Sequence, residues 1–232
     1  MLKIKYLRIN LPEELEISYN KLLGFPFERD GQAGFEGISF SSEHVDLKFI
    51  ERIITKEKIT DPFGNTQELI STRYIVTELS IISSNKVYIL VIRNPSRSVN
   101  TLIKKMSSVI GQNFYAAAIN TDIKNFGNYL ATNHSTLGLT STKVLASNLV
   151  LDSHSTANVE LISGINALDD LQKHFPLHNT HIERARFTLT DHGKRSQLEI
   201  KHTGTIGISG HKHELLEEII TDYVCGIHIT TS

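Results

Sequence analysis

A chain of 232 residues, 40% hydrophobic and 21% charged, is long and apolar enough to bury a self-sufficient core, which excludes a disordered segment. Its 24 basic and 25 acidic residues leave a formal net charge of −1, so no global field draws in nucleic acid or an anionic membrane, and any phosphate site has to be a local patch. The single cysteine, Cys225, excludes an internal disulfide framework and cysteine-based zinc sites.

Residues 2–9 alternate charged and apolar side chains and read as a first strand rather than the continuous apolar run of a secretory signal. No run approaches the ~20 apolar residues needed to cross a bilayer, so a cytoplasmic location without membrane contact is expected. Pro12, Glu13 and Glu14 suit the first turn of a helix that Gly24 stops, and residues 31–37 read as a glycine-rich loop. Val45, Leu47 and Phe49 alternate with Asp46 and Lys48, the period of a half-buried strand that continues to Ile59. The cluster Asp61-Pro62-Phe63-Gly64-Asn65 is a turn, and a second strand over 69–82 completes a long hairpin. Ser83-Ser84-Asn85 marks another turn. Residues 87–92 form the most apolar run and read as a central strand.

After Asn94-Pro95, Val99, Leu102, Ile103, Met106 and Ile110 fall on one helical face that ends at Gly111. Residues 114–119 read as a strand and 122–133 as a short helix. Strands at 144–151 and 159–162 follow, then a helix bearing Leu168, Leu171 and Phe175 that Pro176 terminates. Residues 182–190 turn at Asp191-His192-Gly193 into a strand over 196–208. A helix from about Lys212 to Val224 and a short strand at 227–229 close the order. The fold class expected is α+β, with mostly antiparallel sheets and helices packed on one face. A polar stretch at 133–142 separates an N-terminal unit over 1–134 from a C-terminal unit over 142–232. One continuous domain, or two similar halves, are the alternatives.

Two basic clusters are candidates for contact with a nucleic-acid backbone. Arg93, Arg97, Lys104 and Lys105 flank the helix after Pro95, while Arg184, Arg186, Lys194 and Arg195 fall on a hairpin, where alternation sets Arg184 and Arg186 on one face. The bland reading is a solvated sheet face with arginines paired to acids such as Glu199. The segment 204–213 leaves a strand and enters a helix. Gly207, Ser209, Gly210 and Lys212 there could cradle an anion, although the spacing matches no established phosphate-loop fingerprint. Ordinary glycine bulges and a Ser209 cap explain the same residues. His211 and His213 diverge on a helix, so no metal and no cofactor is expected.

The expected function is a non-catalytic binding subunit that contacts nucleic-acid backbone within a larger complex. A structural protein is the first alternative. It would form homo-oligomers or bind a protein partner through the long hairpin edges. The second is a phosphoester hydrolase or nuclease working through the 204–213 segment.

Overall fold

The computed structural model describes residues 1–84, 87–96, 99–152, 154–175 and 181–230, the last four by backbone alone. Five α-helices and eleven antiparallel strands occur among them, so the protein is mostly sheet with helices. The chain divides into two compact units, one of residues 9–116 and one of residues 1–8 with 117–232. The polar stretch at 133–142 lies inside the second unit.

In the 9–116 unit the strands are β2 (Ala33–Phe40), β3 (His44–Thr60), β4 (Thr66–Ser84) and β5 (Val87–Arg93), hydrogen-bonded in that order. Helix α1 (Leu15–Leu23) starts later than Pro12 and leaves Glu13 free to pair with Lys21 at 2.5 Å. Helix α2 (Asn100–Ile110) buries Leu102, Met106 and Ile110 at helical spacing. Lys21 Nζ donates to the Ile110 carbonyl at 3.4 Å, meeting one of the orphan acceptors at the C-terminus of α2. Val45, Leu47 and Phe49 of β3 face Ile81, Leu79 and Thr77 of β4 in register, and all are buried. Each fully buried aliphatic or aromatic side chain contributes about 1.5–3 kcal/mol.

Residues 33–40 are strand β2 rather than part of a loop. Their glycines mark close approaches: a Cβ on Gly34 would sit 2.4 Å from the Phe27 nitrogen, and one on Gly37 would sit 2.6 Å from the Tyr19 hydroxyl. Phe35 N–H donates to the Phe25 carbonyl at 2.9 Å, so residues 25–27 lie along the start of β2.

The second unit holds β7 (Thr140–Val150), β8 (Thr156–Ile162), β9 (His181–Asp191), β10 (Lys194–Lys201) and β11 (Thr205–Ser209). Strand β1 (Leu2–Asn10) pairs antiparallel with β11, giving the order β1-β11-β10-β9-β7-β8. Strand β6 (Tyr115–Ala118) straddles the unit boundary, as β1 does. Helix α3 (Ile123–Asn133) is capped by Asp122, whose carboxylate accepts the Asn125 N–H at 3.0 Å. Helix α4 (Ala167–His174) is capped by Asn166. Helix α5 (His213–Thr230) continues through the expected strand at 227–229.

The strand expected over 196–208 is two strands, β10 and β11. Gly204 turns the chain between them with φ of +70°, and a Cβ there would meet the Ile119 carbonyl oxygen at 2.8 Å. Phe126 is fully buried and contacts Phe187 and Tyr223 edge-on, a small aromatic core under α3 and α5. Among the described residues no helix is long and apolar enough to cross a membrane.

Candidate functional site

The Gly207–Lys212 segment is built as a structural joint. Gly210 has φ of +105°, and a Cβ there would lie 2.6 Å from the Ser196 Cα, so β11 passes tightly over β10. Ser209 belongs to β11. The buried Ser196 hydroxyl, not Ser209, accepts the Lys212 N–H at 3.3 Å as α5 begins. Lys212 Nζ lies 3.2 Å from Asp191, and His211 approaches the same carboxylate at 3.7 Å. The hydrogen bond from Lys212 holds the Asp191 carboxyl below its ordinary value of 3.8. The anion beside this helix start is therefore the protein's own carboxylate. Gly207 lies in mid-strand on β11, where a Cβ would make ordinary contact with Met1 and Glu199.

The arginines of β9 face carboxylates. Arg186 is 3.0 Å from Glu199, and Arg184 reaches Glu160 at 3.6 Å and Glu199 at 3.8 Å. Lys143 sits 2.7 Å from Glu160, and its hydrogen bond is the main cause holding that carboxyl below 4.5. The result is a charge ladder over β8, β7, β9 and β10 in which two basic strands are flanked by Glu160 and Glu199. Lys194 and Arg195 are exposed beside the β9–β10 turn.

Arg93 is woven into a polar network. Its guanidinium donates to Ser80 Oγ at 2.7 Å, and Ser80 donates in turn to Asp46 at 2.6 Å. Ser39 and His44 also bind Asp46, at 2.6 and 2.9 Å. Burial pushes the Asp46 carboxyl up, but these hydrogen bonds outweigh it and hold it below 3.8. Arg97 lies outside the described residues.

Lys104 and Lys105 line a cleft of the 9–116 unit of about 680 Å³. One wall is the turn after α1, with Phe25, Pro26, Glu28 and Gln32; another is β3, with Glu51 and Arg52; the third is α2. Lys105 Nζ sits 3.5 Å over the Phe25 ring, a cation–π contact that fixes both side chains. The Arg52 N–H donates to the Gln32 carbonyl at 2.8 Å and ties the turn to the strand.

Arg52 is a cleft residue that sequence reasoning did not single out. Its side chain is half-buried, and Nε is buried without a hydrogen-bond partner. Among the described residues its guanidinium makes no ion pair, unlike those of Arg184 and Arg186. A buried Nε without a partner is costly, and an acceptor brought by a ligand would satisfy it. The sequence signal was slight: Arg52 breaks the apolar run Phe49-Ile50…Ile53-Ile54.

No family model matches the chain, and no curated protein matches it. Among solved structures, the chain is similar to the crystal structure of DynU16, a protein in the dynemicin biosynthetic locus, at 9% identity, covering 95% of this chain and 93% of that one. The TM-score of 0.17 is too low for any argument to rest on that likeness.

Proposed function

We propose that the chain is a non-catalytic binding protein that takes a small phosphate-bearing ligand into the cleft between the 25–32 turn, β3 and α2. The observation that carries this reading is the partnerless, half-buried Arg52 guanidinium beside Lys104 and Lys105. Arg52 supplies a planar fork suited to phosphate oxygens, Lys104 a mobile point charge, and Lys105 a charge steadied on Phe25. Glu28 and Glu51 on the same walls offer acceptors to the donor edge of a ligand such as a nucleotide base. A volume of about 680 Å³ suits a ligand of that size. The basic residues expected to track a nucleic-acid backbone do not support an extended contact equally, because Arg184 and Arg186 already face carboxylates.

Calorimetric titration with inorganic pyrophosphate, with adenosine monophosphate and with a single-stranded oligonucleotide tests the reading. Pyrophosphate or the mononucleotide is expected to bind. Arg52→Ala should lower that affinity about tenfold to a hundredfold, the range of one lost charge-assisted hydrogen-bond pair. Lys104→Ala should lower it less and flatten the salt dependence. Binding of the oligonucleotide alone, unchanged in Arg52→Ala, would overturn the cleft reading in favour of a backbone contact elsewhere.

A further inference from the structure

Strands β3 and β4 run together for seventeen residue pairs, from His44↔Ile82 to Thr60↔Thr66. Only the base of this ribbon has flanking strands. The pairing of β2 with β3 ends at Glu51, and β5 pairs with β4 only from Glu78 onward. Beyond those points, among the described residues, neither outer edge of the ribbon is paired, and residues 54–74 are exposed throughout. Ile54, Ile59, Leu69, Ile70, Tyr74 and Val76 are each about half exposed, and Phe63 at the tip is 90% exposed. A lone two-stranded ribbon is marginal in water, and an open apolar edge recruits another strand.

The two edges differ. The free edge of β3 carries Lys56, Glu57 and Lys58 in succession, the charged blocking typical of edges kept from pairing. The free edge of β4, Thr66–Thr77, carries only Glu68 and Arg73 among Leu, Ile, Tyr, Val and Thr. Register also separates them. When two copies of a strand pair antiparallel about a two-fold axis, opposed residues lie equally far from the axis and on the same face. An axis at Lys56, Glu57 or Lys58 sets like charge on like charge. An axis at Thr72, near the middle of the free β4 edge, sets Ile70 against Tyr74 and Leu69 against Ile75, each pair occurring twice. It also sets Glu68 against Val76 and Arg73 against Ser71, so no like charges meet. Aromatic and β-branched pairs of this kind are the stabilising unit of antiparallel sheets.

We propose that the protein self-associates, with β4 of one copy adding antiparallel to β4 of a second copy about an axis at Thr72, so that two ribbons become a four-stranded sheet. Thr72 is exposed, and its neighbour across the hairpin is the uncharged Ile54, so the position tolerates a charge within one copy.

Sedimentation equilibrium on the whole chain tests this, with circular dichroism to show that each variant is folded. The wild type is expected at twice the chain mass by about 100 μM, where an interface of standard size is populated. Thr72→Glu and Thr72→Lys place like charges on each other at the axis, and each alone should weaken association about tenfold or more. An equimolar mixture of the two should recover the dimer. A wild type that stays monomeric, folded variants that associate like the wild type, or a mixture that fails to recover would each overturn the proposal.

Discussion

Single residues decide much of the local order here. Gly34 lies so close to the Phe27 backbone that no side chain fits, and the sequence neighbours Pro26, Glu28 and Ala33 line the cleft. Gly34→Ala should cost about 1–3 kcal/mol through forced backbone shifts, read as a thermal midpoint lowered by roughly 2–10 °C, and should weaken any ligand held in the cleft. Cys225 sits on α5, where burial pushes its thiol up to about 11, with the nearby Asp222 charge adding to the shift. The thiolate is then scarce at neutral pH. Labelling with a thiol reagent at pH 7 should be many times slower in the folded protein than in urea; equal rates would contradict this packing.

At the scale of elements, period and punctuation in the sequence reveal the long hairpin, the central β5 strand and the α2 face. Val45, Leu47 and Phe49 alternate as strands must, and Asp61 to Asn65 carries its turn chemistry openly, with the Asp61 carboxylate accepting the Phe63 and Asn65 N–H groups at 2.9 and 2.8 Å. What misled the sequence reading was glycine. In β2 it marks strand residues pressed against neighbours, and at Gly204 it marks a break inside what reads as one strand. Both depend on contacts between residues distant in sequence, which local periodicity does not encode. The same limit hid the cleft: Lys104 and Lys105 stood out as a basic pair, but Arg52 became a candidate only when β3 brought it opposite α2. Capping is more local, and Asp122→Ala should cost about 1 kcal/mol by freeing the Asn125 N–H, measurable by urea unfolding.

For the whole molecule, the charged groups are arranged in pairs rather than fields. The Asp46, Glu160, Asp170 and Asp191 carboxyls all lie below their ordinary values in the folded chain. Desolvation opposes the shift in each case. In the unfolded chain these groups return to 3.8 or 4.5, so the folded state binds fewer protons. Their contribution to stability is therefore complete above those values and is lost as pH falls through the depressed ones. Urea midpoints should be level from neutrality down to about pH 5 and drop below about pH 4. A midpoint that rises on acidification would show that these carboxylates are not held as described.

The pairing of β1 with β11 has a consequence in time. Leu2 faces Ile208, and Ile4 faces Ile206. A ribosome adding roughly 5–20 residues per second delivers the partner of Leu2 only after about ten seconds or more. Until then β1 carries Ile4 and Tyr6 without the neighbour that shields them. The β3–β4 ribbon, closed by a five-residue turn, can zip within microseconds of its emergence. The nascent chain thus carries a closed ribbon for seconds while β1 still waits for the strand that covers it.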